Sequence, residues 1–167
     1  MTAARNFDGR NRRDDVKMSN AEIEGARFHG PHCMALATLK ADNSIHLVTV
    51  GYAYIDGVIW TKSQSRAQKV VNLLRHPYAS CTMSAGDGEY HTVHGPYARG
   101  HASIVDASEA VLLVTRRITS RFRERVPGTD SDDESIQRLT EGYVAIRYDN
   151  PKLVTWDHRK LESKEPS

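Results

Sequence analysis

Cysteine is nearly absent. Cys33 and Cys81 are the two thiols in 167 residues, too few and too far apart for a disulfide framework or for the paired spacings of zinc and redox sites. Both fall in strand-like runs, so buried free thiols are expected. Long apolar runs are missing as well. None approaches the roughly 20 residues of a membrane-spanning helix. Residues 1–17 carry almost no apolar side chains and no hydrophobic signal-peptide segment, so a cytoplasmic location is expected. Net charge is small, 23 Lys and Arg against 21 Asp and Glu, or +2. That excludes a general polyanion binder and makes any basic site local. No G-x-G-x-x-G occurs and strands do not alternate regularly with helices, which argues against a dinucleotide-binding parallel sheet. No Ser-His-Asp or Cys-His pattern supplies a nucleophile.

What remains is an ordinary globular composition, 39% hydrophobic, in a length that suits one domain burying roughly two-thirds of its unfolded surface. The organisation read from the chain is a disordered segment 1–18, one folded domain 19–160 and a charged tail 161–167. Ser19 and Glu22 form a capping box for a helix over 20–28, stopped by Gly30-Pro31. Strands are expected over 33–39, 45–54 and 58–61, the last two joined by the hairpin turn Asp56-Gly57. A helix over 66–75 follows, then a strand over 78–83 and one or two further strands over 90–94 and 97–105, broken at Gly95-Pro96. A helix to about residue 126, a short helical piece over 135–140 and strands over 143–148 and 152–156 complete the chain, the last two separated by an Asn150-Pro151 turn. About seven strands with two helical insertions predict a mainly β fold with α, an antiparallel barrel flanked by helices.

The richest segment is 60–73, Trp-Thr-Lys-Ser-Gln-Ser-Arg-Ala-Gln-Lys-Val-Val-Asn-Leu. A strand end, small hydroxyl residues, then Arg66 and Lys69 at a helix start can hold a phosphate. Helix-start amides point outward unpaired, and the dipole favours an anion. Arg66 offers a fork of donors and Lys69 a point charge. Thr61, Ser63 and Ser65 suit either hydrogen bonds to that phosphate or capping of the helix. Trp60 suits packing in the barrel or at a subunit interface.

Several pieces, in order, resemble one family. Ala37-Thr38-Leu39, a turn and Ile45-His46-Leu47-Val48-Thr49-Val50 resemble the A-T-L … D-G-x-P-H-x-x-P-V opening of split β-barrel flavin-binding proteins. Val58 to Thr61 with Ser65-Arg66, Lys69, Asn72-Leu73 and Pro77 is similar to their phosphate-binding strand and helix. Gly100-His101-Ala102 resembles their G-x-A strand. Val154 to Lys160 is similar to a closing W-D-x-R-K. The family is the pyridoxamine-phosphate-oxidase-like flavin/deazaflavin oxidoreductases, matched over roughly residues 20–160. The resemblance implies a split-barrel homodimer with coenzyme F-420 or FMN between the subunits. It also implies hydride transfer to a conjugated or electron-poor small molecule. The backbone of Val48, Thr49 and Val50, with the Thr49 hydroxyl, would lie along the ring. Trp60, Thr61, Ser63, Ser65, Arg66 and Lys69 would complete the cofactor site. The stretch 47–51 lacks the basic residue of the true oxidases, which favours the reductase branch. A cofactor carrier without turnover, or a heme-binding or heme-degrading member, stays open as an alternative.

Other residues carry weaker expectations. His46 could flank the cofactor. His29 with His32 and His91 with His94 have metal-like spacing but no helix and no completing ligands, so no metal is expected. The basic helix around Arg116, Arg117, Arg121, Arg123 and Arg125 offers a groove for the acidic tail of F-420. With Phe122 as its one aromatic it does not suit nucleic acid. Tyr90 or His101 could return a proton. Substrate pockets would come from 86–96, 127–141 and the partner subunit.

Overall fold

Alternating apolar residues build the walls of a barrel whose interior is filled by side chains. The computed structural model describes residues 13–123, 133–138 and 140–164. Helix α1 (Asn20–His29) starts at the expected capping box: Ser19 Oγ accepts from the Glu22 amide, and Glu22 Oε2 accepts from the Ser19 amide at 2.6 Å. Strands β1 (Cys33–Leu39), β2 (Ile45–Ile55) and β3 (Val58–Gln64) form a meander. Asp56 and Gly57 both take positive φ, 51° and 77°, as a tight hairpin turn requires. Helix α2 (Gln68–Arg75), β4 (Tyr78–Thr82), β5 (His94–Val105), α3 (Ser108–Arg123), α4 (Asp133–Arg138) and β6 (Tyr143–Asp157) follow. The strands close in the order β1-β2-β3-β6-β5-β4, every neighbour antiparallel.

Inward side chains such as Met34, Leu36, Tyr52, Ile59, Ile146 and Tyr148 make the core, and α2 caps it with Val70 and Leu73. Cys81 belongs to this core. Burial pushes its thiol up to about 11, while Cys33 is half-buried and also free. A second cluster lies outside the barrel, where Val111, Val114 and Ile118 of α3 cover Ala53 and Ala145.

Six strands are found, because two breaker pairs do not break. β5 runs through Gly95-Pro96: Pro96 contributes its carbonyl, which accepts from the Met83 amide at 3.1 Å, and needs no N–H there. Gly95 has no room for a Cβ beside Met83 O and Ser84 Cα. β6 runs through Asn150-Pro151. Asn150 takes φ 47°, and β5 shifts register between Arg99 and His101 to match. The expected strand over 90–94 is instead a 3-10 turn, Tyr90–Thr92, leading into β5. Residues 13–18 and 161–164 are also more structured than expected. Val16 and Met18 are buried, the Met18 amide donates to Thr155 Oγ1 at 3.1 Å, and a 3-10 helix spans His158–Lys164. Thus 13–18 belongs with the barrel, as does the start of the expected tail. Among the described residues no helix is long and apolar enough to cross a membrane.

Candidate functional site

The pairing of β2 with β3 stops early. It runs from Ile55↔Val58 to Tyr52↔Thr61. Beyond that point β2 follows β1 down to Ile45, while β3 follows β6 up to Gln64. The two strands diverge and leave the β3-facing edge of β2, residues 45–51, without a strand partner among the described residues. Thr61 closes the apex: its hydroxyl donates to the Gly51 carbonyl at 2.6 Å. Fully buried there, Thr61 holds the split and is not available to a phosphate.

The other lip is the corner between β3 and α2. Ser63 points inward and is buried. Lys69, from the first turn of α2, donates to Ser63 Oγ at 3.1 Å. Burial lowers the Lys69 pKa, and no carboxylate among the described residues pairs with it. A partly desolvated ammonium without a counter-ion favours an anion beside it. Arg66 is exposed at the same corner and makes no hydrogen bond or ion pair among the described residues. The Ser65 amide donates to Gly142 O at 2.8 Å, fixing the corner to the turn before β6. No side chain caps α2, whose N-cap is Ala67. The capping role expected of Thr61, Ser63 or Ser65 is therefore absent, and the exposed Ser65 hydroxyl faces solvent.

The helix is set across the barrel end by a buried relay. Gln68 Nε2 donates to Asn72 Oδ1 at 2.8 Å, and Asn72 Nδ2 to Thr38 Oγ1 at 3.0 Å. Arg75 reaches the Leu39 carbonyl at 2.6 Å. His46 faces Thr38 in register, and its Nδ1 is buried with no hydrogen-bond partner among the described residues.

The other expected residues sort by face. Val48 and Val50 point inward against the core, and Thr49 points outward, exposed. Their backbone lies along the unpaired edge. Trp60 is set apart: it packs with the outer cluster beneath α3, under the Arg147 guanidinium. Tyr90 stacks on His158 at 4.5 Å. His101 is held by Asp149 at 3.0 Å, a carboxylate that also accepts from Ser103 and Arg147. Neither Tyr90 nor His101 bonds to a residue of the split. Arg121 is not a groove residue. It reaches the Pro31 carbonyl at 3.1 Å and lies 4.3 Å over the Tyr52 ring, pinning the α1–β1 connection. Arg125, 127–132 and 139 lie outside the described residues. No three His, Cys, Asp or Glu side chains converge on a metal position among the described residues.

Two features escaped the sequence reading. A Cβ on Gly51 would lie 3.0 Å from Ile118 and 3.1 Å from Phe122, so α3 occupies the space that any side chain at this position would fill. An isolated glycine in a strand was the available signal. Lys62, outward on β3, lies 4.8 Å over the Tyr143 ring, and burial lowers its pKa too.

With this geometry in view, comparison with known proteins is informative. A family model described as pyridoxamine 5'-phosphate oxidase matches residues 21–147. The structure is similar to that of a conserved hypothetical protein from Mycobacterium tuberculosis, 33% identical, TM-score 0.79, covering 94% of this chain and 96% of that one. It shares its fold with an F-420 reductase (18% identity, TM-score 0.55, covering 77% and 94%). It also shares it with a heme storage protein from Vibrio cholerae (19%, 0.61, 83% and 96%). No curated protein sequence matches the chain.

Proposed function

The chain belongs to the pyridoxamine 5'-phosphate oxidase family, and on that footing we propose that it is a flavin- or deazaflavin-dependent oxidoreductase acting as a homodimer. The observation that carries this reading is the split. β2 keeps an edge free of a described strand partner, which can hydrogen-bond the polar rim of a flat ring, and the diverging β3 leads to a corner where Lys69 carries an ammonium that no carboxylate among the described residues neutralises. Arg66, Lys69 and the Ser65 hydroxyl would hold the phosphate of FMN or coenzyme F-420. Backbone groups of Val48, Thr49 and Val50 would meet the ring, with the Thr49 hydroxyl at its outer side. Ser63 orients Lys69, and Thr61 keeps the split open at its apex.

When bound, the cofactor supplies hydride chemistry towards a conjugated or electron-poor small molecule. The protein's part is to fix the ring and exclude water from one side of it. A partner fits the outer face of β2, β1 and β4. There Ile45, Leu47 and Tyr78 are 65%, 66% and 57% exposed, with Ala37 in register beside Leu47.

Fluorescence titration with FMN and, separately, with coenzyme F-420 tests the reading. One should bind at micromolar concentration or below, and Lys69→Ala should weaken it about tenfold or more. Consumption of the reduced cofactor with a conjugated acceptor then separates an enzyme from a carrier. Binding of neither would overturn the proposal and turn attention to heme.

A further inference from the structure

The outer face of the sheet carries two positive charges set against each other. Across β4, β5 and β6 the register places Ser80 opposite Arg99 and Arg99 opposite Lys152. Each alternates with residues of the barrel core: Ala79 and Cys81 on β4, Ala98 on β5 and Leu153 on β6. All three therefore share the outward face. Arg99 is half-buried and Lys152 is exposed. Side chains directly opposite on antiparallel strands stand about 4.5–5.5 Å apart at Cβ, and like charges there destabilise the sheet. Among the described residues neither cation makes a hydrogen bond or an ion pair. Asp149, the outward carboxylate that precedes Lys152 on β6, is already engaged by His101, Ser103 and Arg147.

A hydroxyl pair completes the row. Tyr97 precedes Arg99 by two residues on the same face, and its hydroxyl lies 3.1 Å from Ser80 Oγ. That bond uses one of the two hydroxyl hydrogens, so the accepting hydroxyl keeps its own to donate. A guanidinium, an ammonium and a hydroxyl proton are thus brought together by three neighbouring strands. Two positive charges match a phosphate dianion, whereas a carboxylate would leave one of them unanswered.

We propose that Arg99 and Lys152, with the Ser80–Tyr97 hydroxyl pair, form an anion site for a phosphate group, carried by a free ion or by a small ester. The bound anion offsets the repulsion between the two strands. The row lies on β4, β5 and β6, apart from the corner between β3 and α2. The test therefore uses the full chain with Arg66→Gln and Lys69→Ala, which silence that corner. Inorganic phosphate and phenyl phosphate are titrated separately, each against sodium chloride at equal ionic strength, by melting temperature and by phosphorus NMR line broadening. Saturable binding of at least one at millimolar concentration or below is expected, with a rise in melting temperature that chloride does not give. Binding of phenyl phosphate alone assigns an ester, and binding of inorganic phosphate alone a free ion. Adding Arg99→Gln and Lys152→Gln should weaken binding about tenfold or more. Without phosphate and at low salt, Lys152→Gln alone should raise the melting temperature, because it removes one of two like charges. Phosphate compounds that act only as chloride does, equal affinity after both substitutions, or a lower melting temperature in Lys152→Gln would each overturn the assignment.

Discussion

At Lys69 two demands oppose one another. Burial disfavours its charge and lowers its pKa, yet that charge is what an anion would need. Linkage makes the sign explicit. A lysine whose folded pKa lies below its unfolded one weakens the fold while both states should be charged. That penalty disappears as pH rises through the folded pKa towards the unfolded value. An anion at the corner opposes the shift. Gly51 is the other residue on which the site turns. Gly51→Ala places a methyl group 3.0 Å from Ile118 and 3.1 Å from Phe122. Overpacking of this kind costs about 1–3 kcal/mol, measurable by urea unfolding. Unchanged stability would mean that α3 moves freely away from β2.

Among the elements, α3 does most to shape the surroundings of the split, and Arg121 ties it to the start of β1. The bonds from Arg121 end on backbone carbonyls and on Tyr52, so Arg121→Gln should lower stability by roughly 1–3 kcal/mol. Cofactor affinity in the folded variant should stay near that of the parent. A loss of F-420 affinity without a loss of stability would restore Arg121 to a binding role. Element by element, what the sequence disclosed was what is local. The Ser19–Glu22 box, the strand over 33–39 and the Asp56-Gly57 turn depend on near neighbours and were readable. The continuity of β5 and β6 was not. Gly95-Pro96 and Asn150-Pro151 are breakers in isolation, and only the pairing of the two long strands shows that each is accommodated. The candidate site divides in the same way. That Arg66 and Lys69 stand where a strand gives way to a helix was legible. The burial of Thr61 and Ser63, the covered position of Trp60 and the capture of Arg121 follow from which face α3 and α2 cover. No local pattern carries that information.

Over the whole molecule, Lys160 joins segments distant in sequence, donating to Glu22 and to the Lys17 carbonyl. The Glu22 carboxyl is held down to about 2, first by Lys160 and then by the Ser19 amide and hydroxyl. A depressed carboxylate contributes stability that is complete above its unfolded pKa, near 4.5, and is lost as pH falls towards about 2. The pair is largely solvated, so the effect is modest. Glu22→Gln should flatten the fall of melting temperature across that window. An identical slope in parent and variant would show that the latch carries no weight. The exposed face bearing Ile45, Leu47 and Tyr78 makes a different prediction. If it is the subunit interface, sedimentation should find a dimer, and Leu47→Lys should convert it to a monomer, since an unpaired charge in a closed apolar interface is costly. A monomeric parent would refute the interface.

The early end of the β2–β3 ladder has one more consequence. Backbone donors and acceptors left over on a strand are a template for any extended chain, including another copy of the same protein during folding or heating. A slot that can receive a flat ring can also receive a β-strand. Whatever occupies that edge in the cell therefore also guards the protein against self-association by strand addition, and a chain deprived of its ligand is the one most exposed to aggregation.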